Sequence, residues 1–146
     1  AAMTAIPAEL LAAYRETEYR VGGDAPFILR INQASPLLRK LHSRHGVTSS
    51  AFITAANPRS QPCTLAFNTE RQQQLAAELR RLHLLFIEGE GTHPSNGWPP
   101  EPSFLVLGLT RATAERLGHR WAQNAIVVCA EDTIPQLLLL TCGQPG

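Results

Sequence analysis

The stretch SAFITAANPRSQPCTLAFNTERQQQLAAELRRL, residues 50–82, carries the pattern from which the rest of the fold is read. Ala51-Phe52-Ile53-Thr54-Ala55-Ala56 is a short run with almost no polarity, as expected of a strand covered on both faces. Asn57-Pro58 ends it, because proline supplies no N–H and holds its predecessor extended. Asn68 stands before Thr69-Glu70-Arg71, where its carboxamide is placed to accept the orphan N–H groups of a new helix. Leu75, Ala76, Leu79 and Leu82 recur at spacings of three and four, an inward stripe, with Arg71, Gln72, Glu78 and Arg80 mostly elsewhere. Strand, proline-broken loop and capped helix bring Asn57, Ser60, Asn68 and Arg71 to the place where a strand end meets a helix start. Ligands often bind at that place in α/β folds.

On the N-terminal side, Pro7 opens a helix with Leu10, Leu11 and Tyr14 on one stripe, fading near Tyr19 before the turn Gly22-Gly23-Asp24. Phe27–Ile31 reads as a strand. Ser35-Pro36 starts a helix whose inner face is Leu37, Leu38 and Leu41 and whose left-handed stop is Gly46. On the C-terminal side, His83–Glu88 reads as a strand weakened at its far end by Gly89 and Gly91. Residues 91–102, rich in proline, cannot continue either kind of element and form a candidate functional loop. Ser103–Leu109 is an apolar strand, and Thr110 caps a helix through Arg120 with Ala114, Leu117 and Trp121 inward. Ala125–Cys129 and Gln136–Cys142 are two further β-rich runs, split by the turn Glu131-Asp132-Thr133. The order α-β-α-β-α-β-β-α-β-β predicts a single α/β (α+β) domain over residues 1–146, a mixed β-sheet with helices packed on it. Residues 1–5 are expected to be disordered or a cloning remnant.

With 146 residues the chain suits one domain that buries about two-thirds of its unfolded surface. Its 44% apolar and 17% charged residues describe an ordinary soluble globule, and its net charge of +1 supplies no overall field toward nucleic acid or anionic lipid. No stretch approaches the roughly 20 apolar residues of a membrane helix, and the N-terminal residues lack the basic and apolar regions of a signal peptide. Cytoplasmic placement and no cofactor are expected. Cys63, Cys129 and Cys142 form no CxxC pair, so neither a disulfide framework nor a zinc ribbon is suggested; the latter two read as small core residues.

Four groups of residues carry potential chemistry. Asn57, Ser60, Asn68 and Arg71 offer helix-start N–H groups and a guanidinium, which suit the phosphate or carboxylate of an anionic small molecule. Turn and cap chemistry also explains both asparagines without a ligand, with Arg71 solvated. Trp98, in the stiff Trp98-Pro99-Pro100-Glu101-Pro102 segment, is a candidate lid over that site, a proline-rich edge for a partner, or a cover for core surface. Glu88 and Glu90, two apart on a strand, share a face, and with Glu101 would hold a divalent cation for phosphoester hydrolysis; solvated strand-end glutamates are the alternative. His42 and His45 share a helix end, where they favour the negative pole of its dipole. The first function expected is binding or interaction, with the metal-assisted hydrolase as its rival and a homo-oligomer as a third possibility.

The segments TAANPRS, FNTERQQQL, WPPEPSFLVLGL and WAQNAIVV, in that order and spacing, resemble the bacterial domain-of-unknown-function family numbered 3293. The resemblance spans Tyr19 to Val128. It implies a stand-alone small domain and no catalytic residue. Family members commonly carry an aromatic-bearing T-A-W/Y-N-P-like segment, and here Ala56 stands before Asn57.

Overall fold

The computed structural model describes residues 6–140; the expectations for residues 1–5 and Cys142 lie outside them. The elements are α1 (Ala8–Glu16), β1 (Glu18–Val21), β2 (Phe27–Leu29), α2 (Pro36–His45), β3 (Ser50–Ile53), α3 (Leu65–Arg81), β4 (Leu85–Thr92), β5 (Glu101–Leu107), α4 (Arg111–Arg120), β6 (Ala125–Cys129) and β7 (Gln136–Leu139). A 3-10 turn, Pro58–Ser60, lies between β3 and α3.

The strands form one sheet in the order β2-β1-β4-β5-β3-β6-β7, and the mixed sheet of the sequence reading resolves into pairings that are all antiparallel. Two interlocked crossovers build its centre. β3 runs through α3 to β4 and skips β5; β5 runs through α4 to β6 and skips β3. Strands β3 and β5 are antiparallel and their connections travel in opposite directions across the sheet. Two crossovers of the same hand therefore place both helices on one face. The core follows this geometry. Leu75 and Leu79 of α3, Leu117 of α4 and Trp121 at its end pack with Ala51, Ile53, Phe104, Val106, Ile126 and Val128.

The opposite face holds a second core, in which Leu38 of α2 meets Tyr19, Val21, Leu29, Phe52, Leu105, Leu107 and Val127. The sheet curls around it. Asn32 N donates to Pro135 O at 2.8 Å and Ser35 N to Thr133 O at 3.1 Å, tying the chain after β2 to the chain before β7. These are the two edges of the sheet, so the curl leaves little open edge for another chain to extend.

Several local expectations hold. Ser35 caps α2 with Pro36 at the first position and Gly46 in the left-handed conformation, and Thr110 caps α4. Others are corrected. The first helix ends at Glu16, where the Thr17 hydroxyl bonds back to Ala13 O, and Glu18–Val21 is a strand paired on both sides. β3 leaves its ladder at Ile53, three residues before the expected end. β4 runs past its glycines to Thr92. A Cβ on Gly89 would stand 2.2 Å from Arg20 O of β1, so this glycine admits a neighbouring backbone rather than ending the strand. The long irregular loop accordingly shrinks to 93–100. On α2, Leu38 is buried while Leu37 faces out, since adjacent helical residues cannot share an inner face.

Candidate functional site

Thr54-Ala55-Ala56 is buried and Asn57 half-buried, all without a strand partner, so their backbone groups must find side chains. Gln72 Oε1 accepts from Ala55 N at 2.6 Å and from the Thr54 hydroxyl at 3.2 Å. Arg71 donates through Nε to Ala55 O at 2.5 Å and through Nη2 to Trp121 O at 2.7 Å. Thr54 Oγ1 accepts from Ala56 N at 3.0 Å, and Gln123 Nε2 donates to Ala56 O at 3.2 Å. Asn68 Oδ1 accepts from Asn57 N at 2.9 Å, and its Nδ2 donates to Asn57 Oδ1 at 2.8 Å.

Asn68 is therefore not a helix cap. Thr64 is: α3 begins at Leu65, and Thr64 Oγ1 accepts from Phe67 N at 3.1 Å. The first turn is Leu65-Ala66-Phe67, all exposed, which hid the start from a search for inward apolar periodicity. Arg71 and Gln72 were also expected off the inner stripe, yet the inward line of α3 reads Asn68, Arg71, Gln72, Leu75, Leu79. Its N-terminal half is polar because it faces backbone, and its C-terminal half is apolar because it faces β-sheet side chains. Leu82, assigned to that stripe, is largely exposed at the helix end. Nor is Arg71 solvated: its guanidinium also lies 5.7 Å from the Phe67 ring centre and 5.3 Å from that of Trp121.

The turn that follows is strained. Asn57, Arg59 and Ser60 have φ of 45°, 55° and 59°, in the left-handed region that non-glycine residues seldom occupy. Arg59 N reaches Ala122 O at 2.6 Å, Cys63 N reaches Asn57 Oδ1 at 3.0 Å, and Ser60 Oγ shares a 2.5 Å hydrogen bond with the Tyr14 hydroxyl. Asn57, Asn68 and Arg71 thus come together, and Ser60 turns away to α1.

The three glutamates do not converge. Glu88 and Glu90 share the face of β4 that carries Phe86, whereas Glu101 is in register with Gly91 and lies on the other face. There its Oε2 accepts from Asn57 Nδ2 at 2.9 Å. Part of Glu101 still reaches solvent, but the protein packed around its carboxyl raises its pKa above the usual value, against the hydrogen bond from Asn57. Among the described residues no group of three or more His, Cys, Asp or Glu could hold a metal ion. Trp98 is 50% exposed and stands beside His93, ring centres 6.2 Å apart, at the tip of the β4–β5 hairpin. His42 is buried against Ser50, with Nε2 2.8 Å from Oγ; burial, and then Arg39 nearby, depress its pKa, so it does not serve the helix dipole as a cation.

The sequence reading missed a groove. An open cleft of about 890 Å³ crosses the β2-β1-β4 wing on the α3 side, lined by Arg20, Ile28, Leu37, Leu65, Glu88 and Glu90 among others. Ile28, Arg20, Glu90 and Pro102 form one cross-strand row along its floor. Ile28, Leu37 and Leu65 are 39%, 51% and 79% exposed. No periodicity announced them: Leu37 reads as part of the inner face of its helix, four residues before Leu41, and Leu65 precedes the helix start expected at Asn68.

Fold and site together define a small α+β domain with an internally satisfied polar hub and, over the β2-β1-β4 wing, an open groove. Residues 53–126, about half of the chain and including that hub, match the family described as protein of unknown function (DUF3293), and the chain belongs to that family. No curated protein and no solved structure matches the chain. No helix among the described residues is long and apolar enough to cross a membrane.

Proposed function

We propose that this protein is a binding module whose recognition surface is the groove over β2, β1 and β4. The observation that carries the reading is the convergence of three exposed aliphatic side chains, Ile28, Leu37 and Leu65, on one cleft. A soluble domain seldom gathers apolar surface around a concavity unless something covers it. The anionic small molecule expected at Asn57, Asn68 and Arg71 has less support. Arg71 is held by two carbonyls, and the Asn57 amide already faces a carboxyl group. Hydrolysis through Glu88, Glu90 and Glu101 has less again, because the third carboxyl lies across the sheet from the other two.

The test is a set of amide NMR titrations with small apolar probes, nucleotides, sugar phosphates and carboxylates. Shifts from the apolar probes confined to Gly22, Phe27, Ile28 and Gly89 are the expected result. Saturable shifts from an anion centred on Asn57 and Arg71 would refute the groove and restore the anion site.

A further inference from the structure

We propose that the groove receives a cationic amphipathic helix from a partner protein, seated beside α3 on the same face of the sheet. This rests on the groove being the recognition surface. The charge pattern supplies the first argument. Arg20 stands directly opposite Glu90 in register, but its guanidinium is turned to Glu18 at 2.6 Å, and Arg30 takes the other oxygen of Glu18 at 3.0 Å. The two cations of the wing are therefore spent on one carboxylate, whose pKa they lower, Arg20 first. Glu88 and Glu90 make no ion pair among the described residues and are exposed on the groove floor.

Spacing supplies the second. Carboxylates two residues apart on an extended strand stand about 6.8 Å apart, and cations four residues apart on a helix about 6 Å apart. A helix running along β4 thus sets Lys or Arg at i and i+4 over Glu88 and Glu90 together. The row from Ile28 on β2 to Pro102 on β5 crosses three strand spacings, about 14 Å, and a helix is about 10–12 Å across. The occupant fits between Ile28 on one side and Leu65 on the other, with apolar residues flanking its cations. This is helix-in-groove recognition. α3 already covers the neighbouring part of this face, while none of the residues in its core belongs to β1 or β2.

The experiment uses the whole chain and three designed helical peptides that share one Leu face and carry Lys, Gln or Glu beside it, with binding read by fluorescence anisotropy. The Leu/Lys peptide is expected to bind tightest. Its affinity should fall up to about tenfold in Glu88→Gln/Glu90→Gln and with added salt, as two exposed ion pairs allow. Leu65→Ser should weaken whichever peptide binds. The chain's net charge of +1 gives a cationic peptide no general attraction to mistake for this. Equal or tighter binding of the Leu/Gln or Leu/Glu peptide, or indifference to the double substitution, would overturn the cationic partner while leaving the groove as binding surface. Failure of all three peptides would overturn both.

Discussion

Replacing Asn68 by alanine separates two accounts of the central helix. A capping asparagine at its start would cost about 1 kcal/mol on removal. In this structure Asn68 lies inside α3 and makes two hydrogen bonds to Asn57, one to its N–H and one to its side chain. Two lost bonds at about 1 kcal/mol each, plus a part-buried Asn57 N–H left unmatched, give a destabilisation of about 2–4 kcal/mol. The loss also loosens the left-handed Asn57, whose conformation depends on these contacts. For a chain of this size that lowers Tm by about 6–12 °C. Urea unfolding of Asn68→Ala and Thr64→Ala in parallel is the assay. Thr64, the actual cap, should cost about 1 kcal/mol. A Thr64→Ala loss equal to or larger than that of Asn68→Ala, at unchanged slope, would refute the tertiary role assigned to Asn68.

Further outcomes follow from single contacts. Arg71→Lys keeps the charge but loses the planar fork that reaches Ala55 O and Trp121 O, so unfolding free energy should drop by about 1–3 kcal/mol; parental stability would mean that the fork is dispensable. Glu101 has a raised folded pKa, so its contribution is fully present below the unfolded value and lost as pH rises through the folded one. Glu101→Gln should therefore match the parent at pH 4 and gain on it toward pH 7 in thermal melts, and a pH-independent difference would contradict the assigned shift. Gly89→Ala presses a methyl into Arg20 O and should detach β1 from β4, exposing the amides of Glu18–Val21 to hydrogen exchange; unaltered protection there would show that the strands can separate without loss.

Much of the layout was determined by the sequence alone, wherever local chemistry is decisive. Ser35-Pro36, Gly46 and Thr110 act within one helical turn, and the apolar runs at Ala51–Ile53, Ser103–Leu107 and Ile126–Cys129 bury their residues whichever strands they meet. The family was legible in the order of four segments, and the assembly of Asn57, Asn68 and Arg71 in their spacing about a strand end. What these residues do was decided only by the tertiary structure. Cap, anion ligand and backbone scaffold draw on the same carboxamides and guanidinium, and the choice turns on which unpaired backbone groups lie opposite. Thr54–Ala56 leaves the sheet while still buried, and that need recruits Asn68, Arg71 and Gln72 inward. Strand β1 was likewise hidden, since Glu18–Val21 is too short to show its alternation and exists through partners on both sides. The groove is the extreme case: Ile28, Leu37, Leu65 and Glu90 sit on four elements, and only their tertiary packing brings them to one cleft.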